Sequence, residues 1–310
     1  MVLLYIPPVQ NLLRREVTAY ASKATGMQIQ VERIDLRFPL NLLVRGVEVI
    51  QQPDTLLSLE SLNVRVQAWP LLKGKVEVDE VTLSQVAVNS ANLIEGMQIK
   101  GVLGRFFLQS HGVDLSNETA VVNRTELSDT HIQLLMTDTT TTPKDTTASA
   151  PVNWKVNLHQ LKLKNVSFGM KLPADSMKMA AYIGEATIDD AKADLKNQFY
   201  GLKQFLLSGA SASYDTGEVQ PSEGFDASHM AVRNIRIGLD SLLYEGRNMN
   251  AVIREITMEE RSGLSITSLT GRLFSNDSII RIPELKLQTP HSEIDLSAQT
   301  YWELVNIPTT

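Results

Sequence analysis

The chain has 310 residues, 43% of them apolar and 21% charged. That balance excludes a disordered chain and leaves room for one large domain or two ordinary ones. A net charge of −6 argues against a surface built to hold a phosphate backbone, and the absence of cysteine excludes disulfides and thiolate metal sites.

The chain opens MVLLYIPP, an apolar run stopped by Pro7 and Pro8. It falls short of the roughly 20 apolar residues a bilayer span needs, and it lacks the basic lead of a secretory signal. It reads either as a first strand or as the end of a longer apolar helix. In the following stretch Val9, Leu12, Leu13, Val17, Tyr20, Ala21 and Ala24 recur at steps of three and four, with Arg14, Arg15, Glu16 and Lys23 between them. Pro8 suits a helix start and Gly26 a stop, so the spacing predicts an amphipathic helix.

Beyond Gly26 the chain reads almost entirely as strand, with a recurring irregularity. In VEVDEVTLSQVAV, residues 76–88, apolar residues fall at 76 and 78, then 81 and 83, then 86 and 88. The same stutter appears as Ile29, Val31, Ile34, Leu36, and as Leu57, Leu59, Leu62, Val64, Val66. It returns as Val156, Leu158, Leu161, Leu163, Val166, Phe168, more weakly from Ala186 to Leu195, and as Ile280, Ile282, Leu285, Leu287. An extra residue in a strand throws later side chains to the opposite face unless a bulge absorbs it. Repeated bulges therefore predict a bent sheet with one apolar face; strand breaks in an ordinary sandwich are the plain alternative. A leucine-rich solenoid would need a fixed repeat of about 20–29 residues, which is missing.

The threonine-rich segment TDTTTTPKDTTASAP, residues 137–151, reads as a linker or marginal loop. Residues 190–208 fit either a helix face or strand, and the alternation in SGASASYD favours strand. YWELVNIPTT follows a strand-like run without a closing element, which predicts that the native chain continues.

No familiar catalytic constellation stands out. The histidines at 111, 131, 159, 229 and 291 lack metal-ligand spacing, and there is no phosphate loop or nucleophile elbow. Asp189–Asp190 and Glu259–Glu260 read as solvated turn charges. Triplets such as Asp54-Thr55-Leu56, Asp175-Ser176-Met177 and Asp240-Ser241-Leu242 look like bacterial O-glycosylation acceptors, but Asp-Ser and Asp-Thr are also common turn pairs, the preferred reading. What remains is the apolar face itself, either a sealed core or the floor of an open groove.

Residues 64–89, VRVQAWPLLKGKVEVDEVTLSQVAVN, carry a resemblance. A strand, Trp69-Pro70-Leu71-Leu72, Lys73-Gly74-Lys75 and paired apolar strands resemble the AsmA/TamB family of bacterial envelope proteins. The N-terminal layout is similar: apolar tail, Pro-Pro, amphipathic helix, Gly26, then MQIQVERIDLRF. IIRIPELKLQTPHSEIDLSA looks like the strand pair of the TamB branch. The resemblance implies a mostly-β fold: an N-terminal amphipathic helix, then a long, curved, bulged β-sheet folded into a U-shaped apolar groove (a β-taco). It implies a single-pass bacterial inner-membrane protein with its bulk in the periplasm. Leu3 to Ile6 would be the end of a truncated anchor.

The implied activity is non-enzymatic and needs no cofactor or metal: phospholipid is conducted between inner and outer membranes, with a link to outer-membrane protein assembly and protein secretion. A partner of the TamA barrel type would bind through a C-terminal part missing here. The expected divisions are 1–26, anchor end and helix; 27–136, first groove segment; 137–151, linker; and 152–310, second groove segment continuing onward. The expected groove residues are Ile29, Val31, Ile34, Leu36, Leu62, Val64, Val76, Val78, Val81, Leu83, Val156, Leu158, Leu161, Leu163, Ile280, Ile282, Leu285 and Leu287. The alternative is a structural or assembly scaffold with a closed apolar face and partners at its sheet edges. An enzyme assembled from distant residues is the third, least favoured, reading.

Overall fold

The computed structural model describes residues 7–67, 78–91, 93–114, 117–136, 153–173, 176–217 and 221–304. Leu3 to Ile6, Val76, the 69–75 motif and segment 137–151 lie outside the described residues. The protein is mostly β. Helix α1 (Pro7–Thr25) precedes β1 (Gln28–Arg37), β2 (Asn41–Gln51), β3 (Asp54–Val66), β4 (Val78–Asn89) and β5 (Met97–Asp114). Then follow β6 (Thr119–Met136), β7 (Lys155–Leu172), β8 (Met177–Asp194), β9 (Phe199–Leu202) and β10 (Gln204–Asp215). The chain continues through β11 (His229–Glu245), β12 (Asn248–Glu260), β13 (Ser265–Ser275), β14 (Ile279–Gln288) and β15 (Glu293–Tyr301).

The strands form one 15-stranded sheet in chain order, with β9 set beside β8 and β11. Chain-order neighbours pair antiparallel from β1 to β5 and from β10 to β15, as short connections dictate. The ambiguous 190–208 region is strand, interrupted by a turn at 195–198.

The chain divides into two compact units. The first comprises Met1–Val113, Val121–Lys144 and Lys164–Lys178; the second comprises Asp114–Ala120, Asp145–Leu163 and Met179–Thr310.

In the first unit α1 starts on two prolines, whose fixed φ suits a first helical turn, and stops at Gly26, φ +71°, whose N–H bonds the Ser22 carbonyl at 3.0 Å. The helix lies along β1. Gln10 Nε2 donates to the Leu36 carbonyl at 2.9 Å. Arg14 donates to the carbonyls of Val31 at 3.1 Å and Glu32 at 2.9 Å. Ser22 Oγ accepts the Ile29 N–H at 3.1 Å. Rising helix numbers meet falling strand numbers, so α1 runs antiparallel to β1. β1 ends the strand order, and an uncovered outer edge would offer its backbone groups to other chains. Polar side chains at four-residue steps satisfy that edge instead.

The stutters line up as one row of irregular residues, matched one to one across the strands, so the register is the same on either side of the row. Val31 pairs Val47 and Arg33 pairs Arg45, leaving Glu32 and Gly46 facing each other without a ladder pairing. Glu60 of β3, Gln85 of β4 and Gly104 of β5 are skipped at the same level. Gly46, Gln85 and Asp129 take positive φ of 59°, 49° and 52°. A Cβ on Gly104 would meet Asp129 Cβ at 2.7 Å, and Asn165, φ 53°, donates to Asp129 Oδ1 at 2.8 Å. One row of irregular residues thus crosses β1 to β7. A second irregularity lies in β4, where Val64 pairs Val81 but Val66 pairs Val78. This bulge and the irregular residue Gln85 together account for the double stutter of VEVDEVTLSQVAV.

Gly46 is as tight as Gly104 and, unlike it, has positive φ. A Cβ there would approach Glu32 Cβ and Oε2 at 2.7 Å, on a backbone with φ +59°. Gly46→Ala is expected to cost about 2 kcal/mol through strain at positive φ, read as a lower denaturant midpoint with unchanged m-value.

Candidate functional site

The register of the first unit stacks apolar side chains into continuous ladders. Ile34, Val44, Leu62, Leu83 and Phe106 pair across β1 to β5. Beside them run Val31, Val47, Leu59, Val86 and Leu103 on one side and Leu36, Leu42, Val64, Val81 and Leu108 on the other. A further ladder, Ile29, Val49, Leu57 and Val88, ends on Gly101. The row of irregular residues passes between the ladders of Val31 and Ile34. Without it the later ladders would fall on the other face.

None of these ladder residues is buried. All are partly exposed, and Val88 is the most exposed of them at 37%. Residues on one face of a sheet shield each other sideways, and only a second packed layer removes the remaining exposure. Among the described residues of this unit no such layer packs on the ladders. The four of them span roughly 19 Å across β1 to β5 and about 23 Å along the strands, from standard strand spacing and rise. That is a contiguous apolar area on the order of 400 Å², within the range that marks functional patches on soluble proteins.

The opposite face is polar. Arg33, Arg45, Ser61, Ser84 and Arg105 form one cross-strand row there. Arg65 and Glu80 pair at 3.2 Å, and Arg33 pairs Asp35 at 2.8 Å.

The second unit repeats the pattern. Leu207, Ile237, Ile256, Leu269, Leu287 and Ile294 form one ladder. Phe205, Leu239, Ile253, Gly271, Leu285 and Leu296 form the next. Bulges fall in β10 and β12, and Asn234 of β11 has φ 54°. The intervening positions carry ion pairs such as Arg233–Glu259 at 3.0 Å and Arg254–Asp240 at 3.2 Å. A cleft over Gly238, lined among others by Arg236, Arg254, Glu185 and Glu255, has mixed charge.

The structure places Ile29, Val31, Ile34, Leu36, Leu62, Val64, Val81 and Leu83 in the first unit's ladders, with Val78 paired to Val66 beyond the β4 bulge. Leu285 and Leu287 lie in the second unit's ladders, while Ile280 and Ile282 pair β15 farther along β14. Val156, Leu158, Leu161 and Leu163 lie partly exposed on β7. Sequence reasoning missed Leu42, Val44, Val47 and Val49 of β2, although LLVRGVEV carries the same stutter with Gly46 at its skip. It also named no groove residue on β5, β11 or β12, whose alternation is diluted by glycine and arginine.

The paired carboxylates have structural partners. Asp189 accepts from Gln160 at 3.2 Å, and Asp190 faces His159 Nδ1 at 3.2 Å. Glu260 ties the β12–β13 turn together: Oε2 accepts the Ser262 N–H at 2.6 Å and Oε1 the Ala231 N–H of β11 at 3.3 Å. Hydrogen bonds from the Ser262 hydroxyl and N–H, followed by backbone bonds from Ala231 and Arg261, outweigh partial burial and hold the Glu260 carboxyl below the usual carboxylate range. A depressed folded pKa contributes stability that is present above the unfolded pKa and lost as pH falls through the folded one. Acidification is therefore expected to loosen this turn first by hydrogen exchange, and Glu260→Gln is expected to flatten that local pH dependence.

Among the described residues no group of three or more histidine and carboxylate side chains could hold a metal ion. No described helix is long and apolar enough to cross a membrane. No protein-family model matches the chain, and no curated protein matches it.

Proposed function

We propose that the apolar ladders are the floor of a groove that carries phospholipid acyl chains, and that the protein is a non-enzymatic lipid conduit of the bacterial envelope. The observation that carries this reading is a contiguous face of valine, leucine and isoleucine left partly exposed across β1 to β5. On this proposal the sheet curves around the lipid as a U-shaped trough. The bulk of the protein lies in the periplasm, attached to the inner membrane through its N-terminus, and lipid moves between the two membranes. A link to outer-membrane protein assembly through a TamA-type barrel belongs to the same proposal.

The energetics favour such a surface. A two-tailed lipid has some thirty methylenes at about 0.8 kcal/mol each, so full exposure of its tails to water costs on the order of 20 kcal/mol. A barrier of that size allows escape about once a minute or slower. A greasy floor removes much of the penalty while headgroups stay wet, and each added strand lengthens the path by roughly 4.8 Å. Conduction of this kind asks for continuity of apolar contact rather than a reactive group.

Mass spectrometry of lipid extracted from the purified protein tests the reading. Co-purifying phospholipid is the expected result; a preparation that neither retains nor takes up phospholipid from vesicles would overturn it. A second reading, an assembly scaffold, draws on β15, an outer strand whose Ile294 and Leu296 are 51% and 40% exposed.

A further inference from the structure

We propose that the outward face of α1 is a membrane-interface surface that rests on an anionic lipid bilayer. The helix is turned in an unusual sense. Gln10, Arg14, Thr18 and Ser22, all part-buried, occupy one stripe, and three of them bond the backbone of β1. An amphipathic helix on a globular domain ordinarily directs its apolar stripe inward. Among the described side chains the inward stripe is polar, and Leu12 and Tyr20 are left 58% and 77% exposed. Phe38 is 85% exposed two residues from Leu36, whose carbonyl Gln10 binds, so it lies at the end of β1 where the helix begins.

The charge selects the occupant. On the outward face Arg15 and Lys23 stand against a lone Glu16, a formal charge of +1 in a chain of −6, Arg14 being turned to β1. A locally basic helix on an acidic protein is drawn to a negative surface, and the interface is where leucine and tyrosine are stable with one side apolar and the other wet. Glu16 falls between Leu12 and Tyr20 at four-residue steps, which sets the helix at headgroup depth rather than among acyl chains. The apolar residues 2–6 lead directly into the same helix. The inference does not depend on the lipid groove, since Leu12 and Tyr20 lie outside the ladders.

The test is co-sedimentation of the full chain with vesicles of phosphatidylcholine containing phosphatidylglycerol, against pure phosphatidylcholine. The wild type is expected to prefer the anionic vesicles. Leu12→Ser with Tyr20→Ser is expected to weaken binding about tenfold or more, from the apolar area withdrawn, with an unchanged thermal melt because neither side chain bonds β1. Glu16→Gln is expected to strengthen it. Binding carried by residues 1–6 alone would survive the double substitution, and that result would overturn the proposal. So would a concentration-dependent dimer that the double substitution abolishes, since the face would then bind a second copy. Groove lipid should be the same in the variant as in the wild type, which separates this proposal from the conduit reading.

Discussion

Leu62→Asp and Leu83→Asp are each expected to leave the protein folded and to strip it of bound lipid. The two residues pair across β3 and β4 at the middle of the Ile34–Phe106 ladder, and both are partly exposed. Full burial of a leucine is worth about 1.5–3 kcal/mol, so a partly exposed one forfeits less than that on replacement, and its carboxylate keeps access to water. Circular dichroism should then report an intact sheet with a melting point a few degrees lower. In a sealed core the same change would strand a charge among apolar atoms, a defect of the class that unfolds marginal domains. Ser61→Asp and Ser84→Asp, on the opposite face of the same strands, serve as controls that should retain lipid. Unfolding of the leucine variants would show the face to be a closed core. Folded variants with undiminished lipid would show that the ladders are not the binding floor.

The apolar face was legible because irregular residues leave a trace in one dimension. A strand that must keep its greasy side constant through an extra residue has to skip once in its alternation, as β1, β3 and β4 all do. Glycine and polar side chains that tolerate positive φ mark the skip: Gly46, Gln85, Asp129, Asn165. Alignment of the skips was not legible, because register is a relation between strands, and only pairing puts Glu32, Gly46, Glu60, Gln85 and Gly104 on one line. Nor was the rotation of α1. Its periodicity announces two faces, but which of them meets the sheet depends on what the sheet presents there. An outer strand presents unpaired carbonyls, so the donors of Gln10 and Arg14 outcompete leucine for that side. The strands of the second unit were harder to read for a simpler reason. At Gly238 and Gly271 the side chain is missing where a ladder or its reverse would have signalled it. A Cβ on Gly271 would come within 2.8 Å of the Glu284 carbonyl oxygen, so packing removed the residue that pattern would have used.

Removal of the α1 donors is expected to turn a monomeric edge into an adhesive one. Arg14 serves two successive carbonyls of β1, Val31 and Glu32, and Gln10 serves Leu36. A hydrogen bond from a charged donor contributes about 1.5–3 kcal/mol, and the neutral one from Gln10 about 1 kcal/mol. Arg14→Ala with Gln10→Ala therefore forfeits on the order of 3 kcal/mol of helix docking. Among the described apolar side chains of α1, Leu12 and Tyr20 are exposed and offer no substitute contact with the sheet. Once α1 lifts, the carbonyls of β1 are open along a strand that continues four apolar ladders, which is the circumstance in which sheets join edge to edge. Hydrogen exchange should accelerate across Gln28–Arg37 while β3 and β4 stay protected, and light scattering should show concentration-dependent association. Arg14→Lys should restore part of the protection, since an ammonium reaches one carbonyl well but lacks the fork that spans two. Unchanged exchange in β1 together with an unchanged mass would mean that the helix is held by something other than these bonds, and the edge-capping role assigned to its polar stripe would fall.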